Sequence, residues 1–357
     1  MNQRYLTPGP TQLFDSIPSY IQEGLQKDVF SISHRSKDFE EVVKYTKSEL
    51  RKLLNIPDDY HIFFLGSATE AMERIIENCV EKHSFHFVNG AFSKRFYQTA
   101  VELKKSPQKL EAEFGQGFDF SNLQIPEETE LICFTHNETS TGVMTDLNNI
   151  YEIKKKYPDK LIALDIVSSA PYATVDYSQI DCSFLSIQKG FGLPAGLGVL
   201  IINQKMMDKS IQLNEKGLNI GTYHNFPSLL KKSEKNQTPE TPNVFGIFLL
   251  GKICNELNEK GIETIRAETE KRAEMLYTYF DSHQSYKPFV KDKESRSKTV
   301  ISVEIPERSP VIISKLKENG ITVGGGYKQF KETQIRIANY PMINEEDINK
   351  IIEVLSS

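Results

Sequence analysis

An α/β architecture, with a large domain on a mainly parallel, mixed sheet flanked by helices and a smaller C-terminal α/β domain, follows from three features of the sequence. The chain has 357 residues, more than one ordinary domain. Short apolar runs recur between segments of helical spacing, the pattern of strands buried on both faces. Several runs end in a polar or glycine-rich segment, and open α/β sheets place their ligands at that C-terminal strand edge.

Composition narrows the class. Hydrophobic residues make up 39% and charged residues 25%, as in soluble globular proteins. No apolar run approaches the roughly 18 residues of a membrane span, and Pro8, Gly9 and Pro10 interrupt any signal-like core after Arg4. A cytoplasmic location is the expectation. A net charge of −5 without an arginine-aromatic cluster argues against nucleic acid as a partner. Cys79, Cys133, Cys182 and Cys254 are widely spaced and mostly in apolar runs, which reads as buried thiols with no metal site.

In chain order, Tyr5 to Thr11 is a rigid extended arm, because Pro8 and Pro10 fix their own φ and push their predecessors away from helix. Ile17 to Leu25 has helical spacing. Ser31 to Ser36 is polar and precedes an amphipathic helix from Phe39 to Leu54; His34 and Arg35 form either an anion clamp or a plain exposed pair. The strand His61 to Leu65 feeds Gly66-Ser67-Ala68-Thr69-Glu70 and a helix to about Val80. That helix start is a phosphate cradle or simply a capping box between Ser67 and Glu70. The strand Phe85 to Val88 precedes a helix from about Lys94 to Lys104; between them, Phe92 is a stacking platform for a flat ring or a core residue. After the strand Leu131 to Thr135, the polar run His136 to Gly142 reads as a site loop.

The centre of the pattern is Leu161 to Ile202. The run Leu161 to Asp165 puts a carboxylate at a strand end, and Cys182 to Leu185 delivers Lys189 to the same edge. Five residues after it, Gly190, Gly192, Pro194, Gly196 and Gly198, force a loop before the strand Leu197 to Ile202. A lysine amine condenses with an aldehyde, and a carboxylate keeps a pyridine nitrogen protonated, so the pair is either a site for pyridoxal 5'-phosphate, PLP, or a solvated loop lysine with a strand-end or capping aspartate.

Ile211 to Asn243 is polar and broken by glycine and proline. Phe245 to Leu257 and Ile262 to His283 are helices; Thr299 to Ile305 and Gln334 to Ala338 are strands. Pro310 to Glu318 is a helix with Ser309 as cap, and Glu345 to Leu355 closes the chain. Alternation sets Arg336 opposite Ile335 and Ile337, facing either a cleft that takes a carboxylate or solvent. The division expected is 17–244 for the large domain, with 1–16 and 245–357 in the small one.

From Thr7-Pro8-Gly9-Pro10 to Arg336, the ordered set of motifs resembles the class V aminotransferases, PLP enzymes of fold type I. The resemblance implies Lys189 as the Schiff-base lysine and Asp165 as the partner of the ring nitrogen. It also implies cofactor contacts from Ala68, Thr69, Phe92, Thr139, Ser168 and Gln188, and from Thr241 reaching a neighbouring subunit of a homodimer. Arg336 is then the substrate carboxylate site, and His34 with Arg35 the substrate-phosphate grip of the family's phosphoserine branch, in serine biosynthesis. The substrates implied are a small amino acid and a 2-oxo acid such as 2-oxoglutarate. Gly320 to Gly326 lacks the second His-Arg pair of that branch, and the insertion Tyr327 to Thr333 leans toward the serine-pyruvate and alanine-glyoxylate branches. The phosphoserine branch is the expectation. A cysteine desulfurase-like lyase fits less well, since Gln188 stands where those enzymes carry histidine; a non-catalytic PLP-binding protein would have lost Lys189 or Asp165.

Overall fold

Local signals in the sequence start and stop most elements of the computed structural model, which describes residues 3–306 and 308–357; Met1, Asn2 and Glu307, all within the expected small domain, lie outside the described residues. After β1 (Arg4–Leu6) and α1 (Ile17–Gln26), α2 (Lys37–Leu54) begins where the Ser36 hydroxyl accepts the Phe39 N–H at 3.2 Å. It ends at Asn55, left-handed at φ 52°. Its apolar stripe, Phe39, Val43, Leu50 and Leu53, is buried. The chain then alternates through β2 (His61–Leu65), α3 (Ala68–Cys79), β3 (His83–Val88), α4 (Ala91–Glu102), β4 (Ser106–Glu111) and β5 (Leu131–Thr135). A short hairpin of β6 (Asn137–Glu138) and β7 (Val143–Met144) leads to α5 (Leu147–Lys156), β8 (Leu161–Asp165), β9 (Cys182–Ser186) and β10 (Gly198–Ile202).

These strands form a seven-stranded sheet in the order β2-β10-β9-β8-β5-β3-β4, with β10 alone antiparallel to its neighbours. Both faces are covered, which is why the strands are continuously apolar. Ile132, Phe134, Ile162, Leu164, Leu185 and Val199 pack on one side with residues of α2. Leu131, Cys133, Ala163, Phe184 and Leu200 pack on the other with residues of α3 and α4. The period of two carries this second set on to Thr135, Asp165 and Ser186 at the C-terminal edge, in neighbouring strands of matched register.

The remaining elements are α6 (Gln204–Glu215), α7 (Phe226–Ser233), α8 (Val244–Lys260), α9 (Ile262–Ser282), β11 (Lys287–Pro288), β12 (Val300–Glu304), α10 (Ser309–Glu318), β13 (Ile321–Gly325), β14 (Gln334–Ala338) and α11 (Glu345–Ser356). A five-stranded sheet runs β1-β13-β14-β12-β11, with β1 parallel to β13 and the other pairs antiparallel. Its core joins Leu6 to Ala273, Leu276, Phe280, Ile301, Ile335, Ile337 and Tyr340.

The structure departs from the sequence reading at particular places. The N-terminal arm is a strand at its start, because β13 offers it an edge. The helix expected from Lys94 begins three residues earlier, at Ala91, which puts Phe92 in its first turn. Ile211 to Asn243 is not all irregular: it holds the end of α6 and all of α7, where Pro227 occupies the first turn that tolerates proline and Asn225 accepts the Ser228 N–H at 2.8 Å. The helix read as capped by Ser309 has Arg308 at its cap position, and the Ser309 hydroxyl donates to the Gln334 carbonyl at 2.7 Å instead. Strands β4 and β13 gave no apolar run to find. Helix α8 buries Ile247, Leu250, Ile253 and Cys254 in the core of the large sheet. We propose that the chain passes between its two units along α9, where Ile265 belongs to one core and Ala273 to the other.

At the sheet edge opposite the ligand edge, buried Asp181 accepts from Lys154 Nζ at 2.7 Å, from the Ile162 N–H and from the Asn203 amide, both at 2.8 Å. Removing the cation strands a buried carboxylate, which costs about 3–5 kcal/mol. Lys154→Met is therefore expected to lower the urea midpoint by a corresponding amount; an unchanged midpoint would show that the pair contributes nothing.

Candidate active site

The loop after β9 places Lys189 in the interior, 7% exposed. Its Nζ donates to the Pro8 carbonyl at 2.9 Å and to the Thr139 hydroxyl at 3.3 Å, and lies 5.4 Å from the centre of the Phe92 ring. Gly9, at φ +119°, covers the lysine stem, and a Cβ there would stand 3.0 Å from Cγ and Cε. Burial brings the Lys189 pKa down to about 8; Asp165 opposes the shift and Arg336 adds to it.

Asp165 ends β8, also buried. Desolvation lifts its carboxyl to about 7, the Val167 N–H that it accepts at 2.8 Å opposes this, Glu138 adds to it and Lys189 opposes it. Among the described residues these two groups form no ion pair, yet each feels the other's charge. Beside Asp165 on the same sheet face, the buried hydroxyls of Thr135 and Ser186 have no hydrogen-bond partner among the described residues.

Thr139 ties this pair to the small sheet. Its carbonyl accepts from Arg336 Nη1 at 2.9 Å, while Arg336 Nε donates to the Gly325 carbonyl at 2.9 Å. The Arg336 guanidinium lies 5.5 Å from the Tyr327 ring, and that ring lies 5.7 Å from Phe92. Amine, aromatic face and guanidinium thus surround one space.

The start of α3 forms a second part. Ser67 accepts the Glu70 N–H at 3.0 Å, and the Glu70 carboxylate turns back to the Gly66 N–H at 2.8 Å, so the capping box reaches one residue beyond its usual partner. Ala68 is buried and Thr69 exposed, with their N–H groups in the first turn, where no carbonyl four residues earlier in the helix exists for them. Gly198 lets β10 pass beneath; a Cβ would stand 2.5 Å from the Ser67 carbonyl carbon.

The other sequence candidates divide. Gln188 is half-buried beside Lys189. Ser168 is buried, but its hydroxyl donates to the Asn137 carbonyl at 2.7 Å and accepts from the Asn137 amide at 2.8 Å, so its proton is committed within the protein. His34, Arg35 and Thr241 form a separate group: the Thr241 hydroxyl is 3.5 Å from His34 Nδ1, and Arg35 donates to the Thr238 and Pro239 carbonyls at 2.5 and 3.0 Å. None of these contacts reaches Lys189. A cleft of about 790 Å³ lined by His136, Tyr172 and Arg266 likewise excludes Lys189, Asp165 and Arg336.

Sequence reasoning missed Glu138 as an organiser. Fully buried, its carboxylate accepts the N–H groups of Phe92, Ser93 and Ser140 and the hydroxyls of Ser93 and Ser140. It caps α4 from another loop, leaving no local signal except an acidic residue in a small-residue run. The Pro8 carbonyl, a backbone group, gave no signal at all.

These residues fit PLP. Lys189 would meet the aldehyde, Asp165 the ring nitrogen, Phe92 a ring face, and the α3 start the phosphate; the hydroxyls of Thr135 and Ser186, unpartnered among the described residues, lie on the aspartate's sheet face. Asp165 has a cost in the apoprotein. Its folded pKa of about 7 exceeds the ordinary 3.8, so stability present at low pH is lost as pH rises through about 7. Asp165→Asn apoprotein is expected to melt above the parent at pH values over 7 and to bind PLP more weakly; a lower melting temperature with unchanged affinity would contradict this role.

Comparison with known proteins agrees with this geometry. The family model "Aminotransferase class-V" matches residues 6–350. A crystal structure of a phosphoserine aminotransferase from Cytophaga hutchinsonii superposes with a TM-score of 0.98 at 46% identity, covering 100% of this chain and 99% of the other. The phosphoserine aminotransferase of Rhodococcus opacus (strain B4) is 25% identical over 348 residues, 96% of this chain and 91% of the relative. An aspartate aminotransferase from Thermus thermophilus, 22% identical with a TM-score of 0.86 over 99% of this chain and 97% of its own, shares the fold. With the family model spanning nearly the whole chain and a buried lysine at the end of a parallel sheet, the chain belongs to the class V aminotransferases.

Proposed function

We propose that the protein is a phosphoserine aminotransferase, exchanging the amino group between phosphoserine and 2-oxoglutarate, and that it works as a cytosolic homodimer. The observation that carries the substrate is the full-length, 46% likeness to the Cytophaga hutchinsonii enzyme. Relatives of the same name from Rhodococcus and Corynebacterium support it at 25–27% identity. The four cysteines are free and buried, which suits a reducing compartment.

As a class V aminotransferase the enzyme uses PLP, which when bound supplies an aldehyde carbon for the amino group and a cationic ring for the electron pair left at substrate Cα. Arg336 offers its planar fork to the substrate α-carboxylate. Thr139 receives Arg336 on its carbonyl and Lys189 on its hydroxyl, so a single residue spaces the carboxylate site from the amine. Burial lowers the Lys189 pKa to about 8, which favours a neutral Nζ, and such an amine would take the proton from substrate Cα and pass it to the carbon that receives the amino group. Asp165 Oδ holds a proton on the ring nitrogen by its charge. Pro8 and Gly9 close over the lysine and exclude water. In this reading His34, Arg35 and Thr241 serve the neighbouring subunit's site; Arg35 braces the turn before Thr241, and the group makes no contact with its own Lys189.

Two measurements test these roles. In a panel of amino donors with 2-oxoglutarate, phosphoserine is expected to show the highest kcat/KM, and serine or alanine exceeding it would overturn the substrate reading. On mixing apoprotein with PLP, the absorbance of lysine-bound cofactor should appear faster as pH rises, levelling off above about 8 where Nζ has lost its proton. Lys189→Ala should give no such band, and a persisting one would assign the bond to another lysine.

A further inference from the structure

A second charge cluster, with a buried histidine between two partly exposed carboxylates, joins the start of α3 to the segment before α8. His224, 3% exposed, contacts two carboxylates: Nδ1 meets Glu70 Oε1, and Nε2 meets Glu240 Oε2 at 2.7 Å. Glu70 is the first-turn residue whose other oxygen takes the Gly66 N–H. The Glu240 carbonyl accepts the Thr238 hydroxyl at 2.8 Å, in the turn that Arg35 braces. One imidazole therefore bridges the loop that opens α3 and the residue beside Thr241.

We propose that Glu70, His224 and Glu240 form a clasp that sets the position and the net charge of the cofactor-phosphate subsite, with His224 as its positioning residue. The inference rests on the reading that the α3 start holds the PLP phosphate. Glu70 lies in the first turn of α3 and Glu240 is joined to it through His224, so both carboxylates would repel a phosphate held at that turn, and an imidazolium between them cancels one of the two charges. Burial disfavours that charge, but the hydrogen bonds to Glu240 and Glu70 outweigh it and raise the His224 pKa to about 9. Other charges nearby act on the carboxylates: Arg74 faces Glu70, and His34 faces Glu240. With His224 charged the three groups sum to −1; with a neutral residue in its place they sum to −2.

The test is equilibrium binding of PLP and of pyridoxal, which lacks the phosphate, to the apoprotein, with thermal melting as a fold control. His224→Gln is expected to weaken PLP about tenfold, the scale of one added charge in a partly screened site, and pyridoxal less than about twofold. Glu240→Gln combined with His224→Gln returns the sum to −1 and should recover most of the PLP affinity. Equal losses for both ligands, or no recovery in the double variant, would reduce His224 to packing and overturn the proposal, as would unchanged PLP binding in His224→Gln. If the parent protein itself fails to prefer PLP over pyridoxal, the phosphate reading of α3 falls, and the clasp with it. Phosphoserine turnover enters none of these readouts.

Discussion

The ε-amine of Lys189 and the carboxyl of Asp165 are both held out of water, and among the described residues they do not pair with each other. Burial drives their pKa values toward each other, the amine down to about 8 and the carboxyl up to about 7, so each lies closer to its neutral form than it would in water. A protein selected for stability alone would pair them or replace them with apolar residues. The fold instead keeps them apart by giving each its own tether: Asp165 to the Val167 N–H, Lys189 to the Pro8 carbonyl and Thr139. A flat group with an electrophilic end and a basic nitrogen, set between them, would restore what each has lost.

That arrangement explains why the large sheet is built as it is. The columns Leu131-Cys133, Leu161-Ala163 and Cys182-Phe184 are apolar up to the last position, where each turns polar in Thr135, Asp165 and Ser186. Polar side chains there sit on a rigid, fully paired backbone, so their positions are fixed by strand register. Glu138 extends the same rigidity to the next layer: by collecting N–H groups from two segments it fixes Phe92 at the head of α4 and Thr139 beside it in the chain.

Much of this was legible beforehand. Strand ends show through an apolar run stopped by a polar residue, so Asp165 and the delivery of Lys189 to the same edge could be read directly. The fork of Arg336 was legible because the alternation of β14 sets it on the face opposite Ile335 and Ile337. What the sequence hid are contacts between distant segments and contacts made by backbone. The early start of α4 depends on a carboxylate 45 positions away from Ser93. The Pro8 carbonyl carries no residue-type signal, and the pairing of β1 exists only because β13 leaves an edge open. Helix α7 was concealed by its own punctuation, since Pro227 is compatible with a first turn and only Asn225 announces it. His34 and Arg35 were readable as an anion-binding pair, but one chain by itself employs Arg35 as a brace for a turn.

The place of β1 also bears on how the molecule is made. Arg4 reaches Asp347 through Nε and Nη2 at 2.9 and 2.8 Å, and Tyr5 lies in register with Thr322. During synthesis the first strand has no mate until β13 has been made, after every strand of the large sheet, so the small sheet is necessarily finished after the large one. The arm that shields Lys189 continues from that strand, and Pro8 rests against Gly324, where a Cβ would approach it to 2.7 Å. The arm that covers Lys189 is therefore anchored only once β13 has been made.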